Sequence, residues 1–280
     1  MQVLVAGCGW LGTAVAIRLL ARGDRVTGLR RDPERAEQLR RFGIEPLALD
    51  LADPAAAARI PAGIEAVIAL QSASGPGLEA YRQAYVLANA TLLRAARRLE
   101  LRALVCAGSS GVFTQRDGSE VFESTPPTPG SGAPGVLAEA ERQLLDAAGV
   151  PVRLVRLSGL YGPGRAWMLD RVRSGALGLG PGDDAWLNSV HQDDAVTTLL
   201  AALDRGRDRA IYHGTDAEPM RRRDVVRHVA ARLGIAPPVS AVADPADRPN
   251  RRISGAATRA ELGIELRWPS LREGLEPLLG

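Results

Sequence analysis

The chain has 280 residues, 46% of them hydrophobic and 4% aromatic, with a net charge of +3 at pH 7. That is enough apolar material for a full α/β domain with a small appendage, and it excludes wholesale disorder. No apolar run reaches bilayer length. The 35 basic residues, all arginine, are nearly balanced by 32 acidic ones and lack interleaved aromatics, so they read as solvated helix faces and not as a nucleic-acid surface.

QVLVAG is a strand that runs straight into a glycine turn, so the start of the chain reads as structure and not as a signal peptide. TAVAIRLLARG is an amphipathic helix closed by Gly23, and DRVTGLR is a second strand. PERAEQLRRFG is a helix with proline in its first turn and glycine at its end. IEPLALDL, EAVIALQ and ALVCAGSS are three more strands, the last two separated by a long helix, YRQAYVLANATLLRAARRLE. The Pro/Gly-rich stretch at 126–135 is a surface loop, GVLAEAERQLLDAAG a helix, and VPVRLVRLSG a sixth strand. Strands alternating with helices predict right-handed βαβ units. The expected fold is α/β, a Rossmann-type doubly wound parallel sheet in the order 3-2-1-4-5-6.

After Gly159 the rhythm loosens. YGPGR and GLGPGDD are turn-rich, DDAVTTLLAALDRG and RRRDVVRHVAARLG are helical, IYHGT is a short strand between them, and ADPADRPNRR is a polar loop. The expected organisation is a sheet domain over 1–160 and a small C-terminal substrate-side region over 161–280, of which about 190–215 threads back into the sheet domain. Cys8 and Cys106 each end an apolar run and read as buried free thiols, suited to a reducing cytoplasm.

The turn after the first strand is GCGWLG, with Gly7, Gly9 and Gly12 at dinucleotide-binding spacing. In this strand-to-helix context Gly7 permits the tight turn, Gly9 lets backbone approach a pyrophosphate, and Gly12 allows close helix–strand packing. The helix N-terminus at Trp10 and Leu11 then faces the phosphates with its positive end. NAD sites usually close the second strand with an acid that holds the ribose 2′-hydroxyl. This chain closes it with Arg30 and Arg31, which suit a 2′-phosphate. NADP(H) is therefore preferred, with NAD(H) as the alternative should Asp32 act as a displaced acid. In DLAD, Asp50 is placed to accept from the adenine amine and the Leu51 backbone to pair with the ring, while Asp53 reads as a helix N-cap. Leu70 and Gln71, ending the fourth strand, complete the cofactor set.

GCGWLG, DLAD, CAGSSGVF, ESTPPTP, RLSGLYGPGR and VHQDDAVTTLLAAL together resemble the short-chain dehydrogenase/reductase superfamily, in its extended branch of NAD(P)-dependent epimerases and dehydratases. The resemblance spans nearly the whole chain and is strongest to the atypical YeeZ-like group. Ala6 stands where that branch usually has its first glycine. The family's chemistry uses a Ser or Thr, a Tyr acid or base, and a Lys four residues on that lowers the Tyr pKa. The resemblance puts Ser109 at the first position, with Ser110 as rival, but Ala133 at the Tyr position and Leu137 at the Lys position. No tyrosine occurs from Gly118 to Gly159 and no lysine anywhere, which excludes the usual Tyr–Lys mechanism.

The remaining candidates are few. Tyr161 either walls the nicotinamide end or covers the sheet edge. Tyr81 and Tyr85 share a helix face and read first as packing. His191 is either an acid–base group in the cleft or a structural imidazole held by Asp193 or Asp194. No cluster has metal-ligand spacing. Arg165, His191, Arg251 and Arg252 could meet an anionic substrate. Two functions follow: an atypical NADP(H)-dependent oxidoreductase acting on a small polar substrate, or a non-catalytic NADP(H)-binding sensor or partner-binding protein. The resemblance also implies a homodimer through helices 81–99 and 135–148, with Leu92, Leu93, Leu137 and Leu144 as candidate contacts.

Overall fold

The structure is a computed structural model that describes residues 1–75, 77–128, 130–239 and 249–279. Its centre is a seven-stranded sheet. In chain order the strands are β1 (Gln2–Ala6), β2 (Arg25–Arg30), β3 (Glu45–Ala48), β4 (Ala66–Ala69), β5 (Ala103–Ser109), β6 (Val152–Leu157) and β7 (Ala210–Gly214). They lie in the order β3-β2-β1-β4-β5-β6-β7, and the pairings from β3 through β5 are all parallel. This is the doubly wound order expected from the sequence, extended by one strand, since IYHGT pairs beside β6. β1 and β4 are buried from end to end, apart from Gln2, as a parallel sheet covered on both faces requires.

The chain divides into two units. The first comprises Met1–Val112, Pro127–Arg156 and Val196–Tyr212. Its core joins Leu4, Leu29, Val67 and Leu104 from the strands to Leu92, Leu93 and Leu144 from the helices. Those three leucines and Leu137, the expected dimer contacts, are thus all buried in the chain's own packing. The second unit comprises Phe113–Pro126, Leu157–Ala195 and His213–Gly280. Short strand pairs lace it, among them Gly159–Tyr161 with Ser189–His191 and Glu120–Val121 with Arg252–Ile253. Its core packs helices Trp167–Arg173, Arg222–Leu233 and Leu271–Leu275 through Met168, Val172, Val225, Val229 and Leu271. Residues 243–248 of the expected polar loop ADPADRPNRR lie outside the described residues. No helix among the described residues is long and apolar enough to cross a membrane.

Three helices depart from the sequence reading: the one expected from Gly135 already begins at Gly132, inside the stretch expected as a surface loop, because GAPG joins its first turn. PERAEQLRRFG is α-helical only over Pro33–Glu37 and continues as 3-10 helix over Gln38–Phe42. The long helix expected over 81–100 starts at Leu78, passes through a π-helical stretch at Arg82–Leu87, and ends at Ala96. The wider turn changes which residues share a face, and such turns often mark functional sites. Here Gln83, Ala84 and Ala88 line a cavity, while Tyr81 and Tyr85 pack with Val86, Val136 and Ala140. Their rings lie 5.6 Å apart, the packing arrangement expected of the pair.

Candidate functional site

A cavity of about 420 Å³ opens at the carboxyl ends of β1, β2, β3 and β4. β1 lies between β2 and β4, so the cavity sits where the strand order reverses, the usual ligand position in an open α/β sheet. The glycine turn builds its floor. Gly7 has φ +80°, and a Cβ there would come within 2.5 Å of the Gln71 nitrogen. A Cβ on Gly12 would lie 2.7 Å from the Gly7 carbonyl oxygen. At Gly9 the nearest such atom is 3.9 Å away, so this side of the turn is open to an approaching group. Helix Trp10–Ala21 begins there with Gly9 as its N-cap, without a capping side chain.

β2 delivers the charge. Arg30 is half-buried and donates its Nε–H to the Cys8 carbonyl, which lays the guanidinium against the glycine turn. Arg31 is exposed and donates from Nη2 to Ser74 Oγ at 2.9 Å. Both line the cavity together with Asp32 and Arg35. Asp32 is engaged as an N-cap, its Oδ1 accepting the Arg35 N–H at 2.9 Å. Across the cavity Asp50 Oδ1 accepts the Ala52 N–H at 2.9 Å, and Asp53 Oδ1 accepts the Ala55 N–H just ahead of helix Ala56–Arg59. Gln71 donates to Asn89 Oδ1 at 2.8 Å, while its own buried Oε1 has no hydrogen-bond partner among the described residues. Burial pushes the Cys8 thiol under the turn up to about 11, against the pull of Thr13 and Arg30.

Of the residues predicted to hold a cofactor, Gly7, Gly9, Trp10, Arg30, Arg31, Asp50, Leu51, Leu70 and Gln71 line this cavity. Leu11, Gly12 and Ser109 do not. Leu11 is buried and Gly12 packs beneath the turn, so both support the loop from below. Arg35, Ser74 and the helical face of Gln83, Ala84 and Ala88 were missed. DPER does carry a capping signature that places Arg35 in a first helical turn. Nothing in QSASGPG marks Ser74. The residues present fit a nicotinamide dinucleotide: a turn that is open at Gly9, a helix N-terminus, an orphaned amide oxygen, and the guanidinium groups of Arg30, Arg31 and Arg35 in the cavity lining.

The expected catalytic residues are placed differently. Ser109 ends β5 in the first unit, and its Oγ accepts the Gly111 N–H at 3.0 Å. Beside it, Glu141 and Arg156 form a buried ion pair with contacts of 2.9–3.2 Å, and a Cβ on Gly108 would lie 3.1 Å from the Glu141 carboxylate. Burial lifts the Glu141 carboxyl above its ordinary value, and Arg156 opposes the rise. Ala133 and Leu137 sit on the same helix as Glu141, Gly132–Leu145.

Tyr161 and His191 belong to the second unit, where their strands pair in register and their rings meet edge to face at 5.2 Å. Tyr161 is fully buried. Its hydroxyl lies where a Cβ on Gly274 would be, and burial raises its pKa. It is a core side chain here, not the wall of an open cleft. His191 is also buried, its Nδ1 accepts the Asp193 N–H at 3.2 Å, and it packs against Trp268. Burial lowers its pKa, so the neutral ring with its proton on Nε2 is favoured at pH 7. Asp194 accepts instead from the Arg267 and Trp268 backbone N–H groups. Asp193 is thus the residue that contacts Nδ1, and the buried Nε2 has no hydrogen-bond partner among the described residues.

Comparison with known proteins adds to this geometry. The family profile for "NAD dependent epimerase/dehydratase family" matches residues 3–213. The chain is 28% identical to Protein YeeZ of Escherichia coli K12 over 96% of each chain. It is 27% identical to a 4-hydroxy-2-methyl-3-oxo-4-farnesyl-3,4-dihydroquinoline-1-oxide ketoreductase of Stigmatella aurantiaca, over 96% of this chain and 84% of the other. A solved structure from Methylobacillus flagellatus, described as a candidate NAD-dependent epimerase/dehydratase, superposes with a TM-score of 0.78 at 31% identity, covering 99% of this chain and 97% of that one.

Proposed function

Because the chain belongs to the NAD-dependent epimerase/dehydratase family, we propose that it is an oxidoreductase that prefers NADP(H) and acts on a carbonyl or hydroxyl of a small polar substrate without a Tyr–Lys pair. The observation that carries the cofactor choice is the convergence of Arg30, Arg31 and Arg35 on one end of the cavity, with Asp32 engaged as a cap. A 2′-phosphate pairs with such a set, whereas a ribose hydroxyl would want a carboxylate there. The cofactor, when bound, supplies the hydride chemistry.

The chain's own residues bind and orient. The N-terminus of helix Trp10–Ala21 favours the pyrophosphate electrostatically. The Ser109 oxygen accepts from Gly111, which leaves its hydroxyl hydrogen to donate to a substrate oxygen. With no lysine in the chain, no ammonium lowers a tyrosine pKa, and Tyr161 is shut inside a core. Proton transfer then falls to water or to the substrate. The ketoreductase relative supports a carbonyl as the reacting group.

The buried Tyr161 also favours a second reading, a non-catalytic NADP(H)-binding sensor. Titration with NADPH and NADH, followed by nicotinamide fluorescence, tests the shared part of both readings: clear preference for NADPH supports it and equal binding overturns it. NADPH consumption across a carbonyl panel separates the two. Turnover that falls in Ser109→Ala supports the enzyme; tight binding with no turnover on any member supports the sensor.

A further inference from the structure

Asp32 and Arg35 both line the cavity, and the one-turn helix Pro33–Glu37 joins them. Asp32 stands at its N-cap with extended backbone, φ −79° and ψ 123°, and Pro33 follows with its pre-set φ. The N–H that the Asp32 carboxylate accepts is that of Arg35 itself, at 2.9 Å. The cap and the guanidinium therefore share one residue. A helix of five residues has little stability of its own. What fixes the direction in which Arg35 leaves the backbone is the cap, the proline and the buried side chain of Ala36.

An acid just past the second strand would ordinarily be read as the group that holds a ribose hydroxyl. We propose that Asp32 is instead a positioning residue for cofactor selection: by capping the helix it holds the Arg35 guanidinium at the rim of the cavity, where a 2′-phosphate would lie. The proposal rests on the NADP(H) reading above. It separates two effects of one side chain. The negative charge of Asp32 opposes a phosphate, while its cap brings a cation to meet it.

The test compares dissociation constants for NADPH and NADH in the wild-type protein, Asp32→Asn and Asp32→Ala, each with and without Arg35→Ala. Asn and Ala at position 32 carry the same charge and differ in capping. Asp32→Asn is expected to bind NADPH at least as tightly as wild type, and Asp32→Ala roughly fivefold more weakly than Asp32→Asn. In the Arg35→Ala background that difference is expected to vanish, as a coupled pair requires. Circular dichroism and urea unfolding report that every variant is folded, and NADH binding is expected to change less than NADPH binding in each. Equal NADPH binding by Asn and Ala in the presence of Arg35 overturns the proposal, as does a difference that survives Arg35→Ala. Loss of NADH binding in both position-32 variants overturns it too, by marking Asp32 as the ribose acceptor. A wild-type protein without NADPH preference is recognised from the first titration and removes the NADP(H) reading together with this proposal.

Discussion

Gly7 shows how little room a single site residue has. Its φ of +80° and the Gln71 backbone 2.5 Å from its missing Cβ leave no space for a side chain. Gly7→Ala is expected to abolish cofactor binding and to lower stability by about 1–3 kcal/mol, read from urea unfolding and nicotinamide fluorescence. Arg30 plays two parts, bracing the Cys8 carbonyl and lining the cavity. Arg30→Ala is expected to weaken NADPH roughly tenfold with little change for NADH, since only one of the two carries a 2′-phosphate. A parallel fall for both cofactors would show that Arg30 serves only to brace the turn.

Among the elements, helix Gly132–Leu145 and strand β6 are joined by the buried Glu141–Arg156 pair. Neither side chain reaches water, so removing Glu141 takes from the buried Arg156 guanidinium the carboxylate that faces it. Glu141→Ala is expected to cost about 3–5 kcal/mol in urea unfolding, while a swap of both residues for apolar ones of similar size should cost far less. In the second unit Asp216 is buried, and neither of its carboxylate oxygens has a hydrogen-bond partner among the described residues. Burial raises its pKa well above the ordinary value, and Arg259 opposes the rise. The folded protein then keeps a proton that the unfolded chain has lost. Stability should fall as pH rises from the ordinary carboxylate value, about 3.9, towards the raised folded one. Asp216→Asn is expected to flatten that slope and to stabilise at neutral pH. An unchanged pH profile would show that Asp216 is ionised in the folded state.

At the scale of the whole molecule, each of the two units has its own apolar core, and the nucleotide cavity is lined wholly from the first. A ligand that binds only the folded form stabilises it by mass action. NADPH at a hundred times its dissociation constant is expected to add about 2.7 kcal/mol and to raise the calorimetric transition of the first unit by roughly 5–10 °C. NADH at the same concentration should shift it less. Equal shifts would contradict the preference for NADPH.

The sheet and the glycine turn were legible in the sequence, because both are written in local chemistry. Fully buried parallel strands must be apolar runs, and a turn that lies against a neighbouring strand must lack side chains, so VLVAGCGWLG could be read without coordinates. The sign of the charge at the end of β2 was legible for the same reason. Contacts distant in sequence were not. Ser74 meets Arg31 across 43 residues, and Gln71 meets Asn89 across 18, by the path of the chain and not by any pattern within it. The π turn at Arg82–Leu87 has no residue signature, yet it decides which face of the helix lines the cavity. Tyr161 and His191 carry the residue types of acid–base chemistry, and only the packing of Gly274, Trp268 and Asp193 around them decided that both are held inside a core. Side-chain chemistry states what a residue can do, and burial, which depends on the whole fold, decides whether it reaches anything to do it to.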